Sequence, residues 1–320
     1  MKILANDGMA TSGVIALEAA GFKVDLSKIP QDNLVDYINE HQIEMLLVRS
    51  ATTARKELID ACPSIKLIGR GGVGMDNIDV DYAKSKGIIV INTPDASSHS
   101  VAELVFAHLY GMARFLHDSN RNMPLEGDTN FNALKKAYAS GKELKGKTIG
   151  ILGFGRIGQA AAKIALGNRM NVIAYDPFIS EIDLDFKFFD GQKVTFKIKT
   201  VSKEEVLKQA DFISLHVPKQ NEYVISTKEF EMMKDGVVLV NAARGGVIDE
   251  VALVEAIETG KVLSAAMDVF ENEPKPPIQL LMNPNLSLTP HIGAATKEAQ
   301  SRIGEELAQQ IIKHFNKTKN

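Results

Sequence analysis

Residues 148–158 read TIGILGFGRIG, and this stretch decides the fold. An apolar, β-branched run ends at Leu152, the spacing Gly153, Gly155, Gly158 follows at once, and Ala160, Ala161 and Ala162 then continue as a helix. That order is strand, tight turn, helix. The next apolar run, NVIAY at 171–175, ends on Asp176, 18 residues past Gly158. Strand, glycine loop, helix, strand and acid are the parts that hold a dinucleotide. Gly153 makes the turn, Gly155 lets the backbone approach a pyrophosphate, Gly158 allows the helix to pack closely, and the helix N-terminus stabilises the phosphates. The simpler alternative is an α/β turn that happens to be rich in glycine.

Asp176 also bears on which dinucleotide is held. Its carboxylate accepts from both ribose hydroxyls, but would repel a 2′-phosphate by roughly 1 to 4 kcal/mol at about 4 Å, depending on the dielectric. The following residues, Pro177 and Phe178, supply no compensating arginine, so NAD is preferred over NADP.

Working outward, the same alternation recurs on both sides. Downstream, strand-like runs appear in DFISLHV, GVVLVNA, SAAMDV and LSLTP, and upstream in KILAN, MLLVRS, KLIGR and IIVIN, with helix-length segments between most of them. Both halves read as α/β, each built on a parallel sheet, the first domain of about 95 residues and the second sheet beginning at Thr148. A long helical stretch, SSHSVAELVFAHLYGMARFLHDSNR, leads into an irregular polar segment from Asn122 to about Lys147, and the crossover between the domains is placed at about 118–147. Asp190 and Gly191 sit between alternating apolar residues and predict a β-hairpin over 186–199, a surface insertion. Ile303, Leu307, Ile311 and Phe315 share one helical face, expected to return to the first domain.

A second G-x-G-x-x-G, at Gly69, Gly71 and Gly74, runs into MDNID, and its next strand ends INTP without an acid. It is the poorer nucleotide site. The amides around Gly72 and Val73 could instead cradle a small carboxylate, the alternative being purely structural glycine.

Composition narrows the classes. With 45% apolar and 24% charged residues the chain suits a globular fold, and 37 basic against 40 acidic residues give no positive field for nucleic acid. Cys62, the single cysteine, cannot form an intrachain disulfide or a cysteine-based metal cluster, and no metal site is expected. There is no apolar run of about 18 residues, and Asn6 and Asp7 interrupt the start before a signal-peptide core could form. No membrane partner is expected, and the cytoplasm is the expected location.

In open α/β sheets ligands bind beyond the carboxyl ends of strands. Three residues stand just past such ends: Arg244 after GVVLVNAA, Glu273 after SAAMDVFEN and His291 after LSLTP. Oxidation of a secondary alcohol needs a group that removes the hydroxyl proton, and histidine titrates in the right range. Paired with Glu273, His291 is ready to return that proton to a ketone, while Arg244 can hold a 2-keto-acid carboxylate by a bidentate contact. Taken singly, a strand-end arginine is more often solvated and a lone histidine more often structural.

Eight ordered strings change that balance: RSATT, GRGGVGMDNID, NTPDASSHSVAEL, GILGFGRIGQ, SLHVP, NAARGGVIDE, DVFENEP and TPHIGAAT. Together, spanning nearly the whole chain, they resemble the D-2-hydroxyacid dehydrogenase family, most closely its 3-phosphoglycerate dehydrogenase branch. The resemblance implies two Rossmann-like parallel-sheet domains, a doubly wound cofactor domain over residues 97–292 and a discontinuous, flavodoxin-like substrate domain over residues 1–96 and 293–320. It implies Arg244, Glu273 and His291 as the catalytic set and Asp268 near the nicotinamide carboxamide. It also implies a cofactor cleft lined by Arg156, Ile157, His216, Val217, Pro218 and Ala242, with His216 beside the cofactor and not the base. A phosphate on the substrate needs fixed cations: Arg49 and Ser50 end the strand MLLVRS, Arg70 opens the glycine loop that holds Gly72 and Val73, and Lys135 and Lys136 lie in the crossover, with Arg244 and His291 at the reacting end. The simpler alternative is that the lysines are solvated and Arg70 pairs with an acid of its own domain.

The expected reaction is oxidation of D-3-phosphoglycerate by NAD, the entry to serine synthesis in that branch. A glyoxylate, hydroxypyruvate or D-lactate type enzyme would share the catalytic set without a preference for phosphate. The corepressors that resemble this family and sense NAD as scaffolds are a remote alternative. Two departures stand out, the hairpin and a crossover from Met123 to Lys147 that is longer than in relatives and lacks tryptophan. The chain stops soon after its last helix, so feedback through an appended domain is not expected. The family implies a homodimer, with a tetramer as the alternative.

Overall fold

The structure, a computed structural model, describes residues 1–315. The chain forms two compact units, one made of Met1–Ser100 with the stretch from Ala294 onward, the other of Val101–Gly293.

In the first unit β1 (Lys2–Ala5), α1 (Thr11–Ala19), β2 (Lys23–Asp25), α2 (Leu34–His41), β3 (Met45–Val48), α3 (Lys56–Ala61), β4 (Leu67–Arg70), α4 (Val80–Ser85) and β5 (Ile89–Asn92) alternate along the chain. The strands lie parallel in the order β2-β1-β3-β4-β5, the flavodoxin-like winding. Both faces of such a sheet need covering. Leu34 and Ile38 of α2 with Leu58 and Ile59 of α3 cover one, burying Leu46 and Ile68. Leu17 of α1 and the C-terminal helix, Lys297–Phe315, cover the other. That helix buries Ile303, Leu307 and Ile311 to 4%, 3% and 0% exposure. Each such side chain stabilises by about 1.5 to 3 kcal/mol relative to water.

The chain passes into the second unit within α5 (Ser98–Ala113). After α6 (Leu116–Glu126) and α7 (Phe131–Ala137) come β6 (Thr148–Leu152), α8 (Arg156–Gly167), β7 (Asn171–Tyr175), the hairpin β8 (Glu181–Lys187) and β9 (Lys193–Lys199), and α9 (Lys203–Gln209). Then follow β10 (Phe212–Leu215), α10 (Thr227–Met232), β11 (Val237–Asn241), α11 (Glu250–Glu258), β12 (Val262–Met267), α12 (Ile278–Leu281) and β13 (Leu286–Leu288). The sheet is parallel in the order β13-β12-β11-β10-β6-β7. Its first strand, β6, has neighbours wound in opposite directions. Ligands of open sheets bind at such a reversal. Apolar residues of α5 and α8 seal one face, and those of α9, α10 and α11 the other.

Three local features differ from the expectation. The stretch 122–147 is not wholly irregular, because α6 and α7 occupy much of it; both bury no residue, so no apolar periodicity marks them. The long helix is broken at Phe115, which takes a left-handed φ of 51° between α5 and α6. The hairpin begins earlier, at Glu181, because Leu184 is buried against the core beside α8 and ties the strand down.

Candidate active site

In the second unit the site grows from the loops after β6, β10, β11, β12 and β13. Gly153 leaves β6 with φ 91°, and a Cβ there would lie 2.5 Å from the His216 carbonyl oxygen, so only glycine lets the loops after β6 and β10 meet. Gly155 is the N-cap of α8 and offers no side chain to the first-turn amides, and a Cβ placed on it meets nothing within 4 Å. Open space in front of uncapped helix amides is where a pyrophosphate fits. Arg156 and Ile157 open that helix. Asp176 sits beside the loop. Its Oδ2 accepts the Phe154 N–H at 2.7 Å and its Oδ1 the Phe178 N–H at 2.9 Å. Each oxygen keeps acceptor capacity for a ribose hydroxyl. The acid therefore also braces the glycine loop, a role hidden in the sequence because it depends on β6 and β7 being neighbours.

His216 follows β10. Its Nε2 lies 2.9 Å from Ser214 Oγ, whereas Nδ1 is shut off from solvent with no hydrogen-bond partner. The residue as a whole is half-buried, but the ring is enclosed, and burial pushes its pKa down to about 4. A neutral, incompletely satisfied imidazole suits a ligand-lining position. Val217 and the exposed Pro218 continue this wall, and Ala242, 8% exposed, stands after β11.

The turn after β11 is stapled by Asn241, whose Oδ1 accepts the Ala243 N–H at 3.1 Å and whose Nδ2 donates to the Arg244 carbonyl at 3.0 Å. Arg244 Nη1 in turn donates to the Ala243 carbonyl at 2.6 Å. The next residue, Gly245, lies against the loop after β12: a Cβ on it would come within 1.8 Å of the Phe270 oxygen. That loop carries Glu273, whose Oε1 accepts the Phe270 N–H at 3.0 Å while Oε2 accepts from His291 Nδ1 at 2.8 Å. His291 and Glu273 side chains keep 44% and 37% exposure, so the pair faces solvent at the carboxyl end of the sheet. With Nδ1 engaged, His291 presents Nε2 outward.

Two buried acids support these loops. Asp268, 2% exposed, accepts at Oδ1 from the Thr289 hydroxyl at 2.6 Å and the Ile292 N–H at 2.8 Å, and at Oδ2 from the Gly293 N–H at 2.9 Å. Glu250 begins α11 because Asp249 caps it, accepting from the Val251 and Ala252 amides. Its Oε1 accepts the Glu271 N–H at 2.7 Å, and burial, with the neighbouring Glu271 and Glu273 charges, raises its pKa. Asn241 and Glu250 escape a reading by strand ends, although both lie inside the string NAARGGVIDE.

The first unit holds the remaining candidates. Arg49 follows β3 and Arg70 ends β4, which pair side by side, and the Arg70 guanidinium lies over Gly72, Nη1 only 2.5 Å from where a Cβ would be. Arg70 Nε donates to Asn77 Oδ1 at 3.0 Å, and Asn77 Nδ2 donates to the Arg49 and Thr52 carbonyls at 2.8 and 2.6 Å. Ser50 is exposed. The Gly72 N–H turns onto the Arg70 carbonyl at 3.0 Å, so of the two expected amides that of Val73 is the one left to meet a carboxylate. Asp7, unsuspected from sequence, organises RSATT by accepting the Arg49 N–H at 2.6 Å and the Thr52 N–H and hydroxyl at 3.1 and 2.6 Å. Lys135 and Lys136 belong to the second unit, exposed on α7.

A largely apolar cleft in the second unit, lined by Met112, Phe115, Lys142, Leu263 and Leu286, lies by the amino ends of β10 to β13, away from this chemistry.

The family described as "D-isomer specific 2-hydroxyacid dehydrogenase, NAD binding domain" matches residues 106–293. The chain is 44% identical over 298 residues to a hydroxypyruvate reductase of Thermotoga maritima, covering 92% of this chain and 91% of that protein. It is 40% identical over 315 residues to a D-3-phosphoglycerate dehydrogenase of Methanocaldococcus jannaschii, covering 98% of this chain but 57% of that protein, little more than half its length. Among solved structures it resembles the D-lactate dehydrogenase of Aquifex aeolicus complexed with NAD and lactic acid, with a TM-score of 0.73 and 30% identity, covering 99% of this chain and 96% of that one.

Proposed function

The chain belongs to the D-isomer specific 2-hydroxyacid dehydrogenase family, and on that premise we propose that it oxidises D-3-phosphoglycerate to 3-phosphohydroxypyruvate, the first step of serine synthesis, and catalyses the reverse. The family's NAD-binding domain makes NAD the cofactor. The observation that carries the catalytic reading is the His291–Glu273 pair at 2.8 Å on loops adjoining that of Arg244.

NAD, when bound, supplies the acceptor for the hydride that leaves C2 of the hydroxy acid. Gly155, Arg156 and Ile157 would hold its pyrophosphate on the turn that Gly153 and Gly158 allow, and Asp176 its ribose, with His216, Val217, Pro218, Ala242 and Asp268 around the rest. His291 takes the 2-hydroxyl proton on Nε2 during oxidation and returns it during reduction. Glu273 holds the Nδ1 proton in place and offsets the positive charge that the ring gains. Arg244 holds the substrate carboxylate and polarises the carbonyl beside it. The protonated ring and the guanidinium place positive charge where the alkoxide develops, and such stabilisation is commonly worth about 3 to 4 kcal/mol per donor.

For the substrate, Arg49 and Arg70 on adjacent strands supply fixed cations of the type a phosphate needs, with Ser50, Gly72, Val73, Lys135 and Lys136 as further contacts. The relative of Thermotoga maritima favours a second reading, hydroxypyruvate reduction. Rates of NADH consumption with 3-phosphohydroxypyruvate, hydroxypyruvate and glyoxylate separate the two. A preference for the phosphorylated acid that collapses in Arg49→Ala supports the first, and equal or better turnover of the unphosphorylated acids replaces it with the second.

A homodimer in the cytoplasm completes the reading. The exposed Leu116, Leu125 and Phe131 on α6 and α7 support the homodimer. No helix among the described residues is long and apolar enough to cross a membrane.

A further inference from the structure

His108 lies on α5, 6% exposed, and takes no part in the chemistry described so far. Its ring meets two hydroxyls, Ser287 Oγ at 2.8 Å from Nδ1 and Thr289 Oγ1 at 3.1 Å from Nε2. Ser287 is in β13 and Thr289 follows it, so strand alternation turns both toward α5 while Leu286 and Leu288 enter the opposite core.

The directions of these bonds follow from one link. The Thr289 hydroxyl has a single proton, and it goes to Asp268 Oδ1 at 2.6 Å, since a carboxylate can only accept. Thr289 Oγ1 must then accept from His108, which places the ring proton on Nε2. Nδ1 is left bare and takes the Ser287 hydroxyl proton. This neutral tautomer is the form that burial favours, against the opposing charge of Asp268. Asp268 ends the chain of bonds by holding the N–H groups of Ile292 and Gly293.

Those peptides directly follow His291, whose φ of 56° lies in the left-handed region. A residue with a Cβ persists there only when its surroundings hold it. We propose that His108 is a positioning residue, which through Thr289 and Asp268 anchors the turn that sets the orientation of the His291 imidazole. The proposal rests on His291 being the acid–base residue, but the anchoring itself can be observed without turnover.

The experiment combines hydrogen exchange of the unliganded chain, read over peptides spanning 290–293, with steady-state kinetics of His108→Leu, His108→Gln, Thr289→Val and Thr289→Ser. Loss of a buried link should speed exchange of the Ile292 and Gly293 amides by about tenfold in His108→Leu and Thr289→Val. The glutamine amide can donate and accept as the ring does, and Thr289→Ser keeps the hydroxyl, so both should exchange as the parent chain. In the two broken variants kcat should fall about tenfold, with KM for the keto acid and Kd for NADH changed by less than about twofold, the pattern of a misoriented group. The double variant His108→Leu with Thr289→Val should lose no more than Thr289→Val alone. Parent-like exchange at 290–293 in both broken variants overturns the proposal, as does an equal loss in His108→Gln. Should His108→Leu not fold, Thr289→Val against Thr289→Ser decides alone by the same criteria. His291→Ala, run alongside, isolates the premise: full turnover there removes His291 as the acid–base residue, while the exchange data still judge the anchor.

Discussion

Replacing Asp176 separates the brace that its carboxylate forms from the ribose contact proposed for it. Its oxygens accept the Phe154 and Phe178 amides at 2.7 and 2.9 Å, and in the proposed role its charge meets the position at which an adenosine ribose would carry a 2′-phosphate. Asp176→Asn removes the charge and leaves a single acceptor oxygen for two backbone donors. One charge-assisted bond is lost, about 1.5 to 3 kcal/mol, and the glycine loop loosens. Loosening acts on the pyrophosphate, which NADH and NADPH share, so it weakens both and cancels in the ratio of their dissociation constants. The charge does not cancel. Against a phosphate about 4 Å away it contributes roughly 1 kcal/mol at the dielectric of water and about 4 at an effective value of 20. Removing it should therefore lower Kd(NADPH)/Kd(NADH) by about fivefold or more, since about 1.4 kcal/mol is one decade. Asp176→Ala, which frees both amides, should weaken NADH further while leaving the ratio close to that of the asparagine variant. The chain has no tryptophan, so the nucleotide's own fluorescence on titration with protein is the convenient signal. Part of the ratio change should fade in high salt, because an exposed charge pair is screened. An unchanged ratio in both variants would refute the assignment of Asp176 to the ribose, whatever happened to the absolute affinities.

Three further outcomes are expected. His291→Ala should lower kcat by about 10²- to 10⁴-fold, the usual worth of a positioned acid–base group, with NADH affinity near that of the parent; near-normal turnover with the preferred keto acid removes it from the mechanism. Gly245→Ala would set a Cβ within 1.8 Å of the Phe270 oxygen, so the loops bearing Arg244 and Glu273 must part. A displacement of about 1 Å there should cost on the order of 10² in kcat/KM and about 1 to 3 kcal/mol of stability, and an active, equally stable variant would contradict the close approach. His216, with its pKa lowered by burial to about 4, is a pH-dependent weakness. The unfolded chain binds this proton near the ordinary histidine value of about 6.5 and the folded one does so only near 4, so stability is complete above 6.5 and falls as pH drops between the two. The loss from this one group is about 2 kcal/mol by pH 5. Urea midpoints at pH 7 and pH 5 should show a drop that shrinks in His216→Leu; an identical drop in that variant would place the proton uptake elsewhere.

What could be read from the sequence was whatever the chain encodes locally. The strands β1, β3, β4, β5 and all six of the second sheet are runs of β-branched and apolar residues bounded by polar ones, and Asp190-Gly191 marks the hairpin turn. The edge strand β2 was not legible, because three residues, Lys23 to Asp25, half-buried or exposed, carry no pattern. Helices α6 and α7 bury nothing, so there is no apolar face to detect, and Pro124 inside α6 suggests a break. The break at Phe115 has no glycine, proline or asparagine to signal it.

The candidate site divides along the same line. Arg244, Glu273 and His291 could be singled out because each stands just past a strand and has a side chain suited to the chemistry, whereas several of the bonds that support them join residues far apart in the chain. The Thr289–Asp268 bond spans 21 residues, His108 is 181 residues from Thr289, and Asp7 reaches 42 residues to the Arg49 amide. No periodicity predicts such pairings, which exist only once the sheet has set its strand order. One trace was present: Ser287 and Thr289 alternate with Leu286 and Leu288, so a short, otherwise apolar strand turns two hydroxyls toward its covering helix. Buried hydroxyls need partners, and α5 has His108 in position to meet both. The polar residue on the buried face of a strand is thus the useful signal for support groups, just as the polar residue beyond its end is the signal for groups that touch substrate.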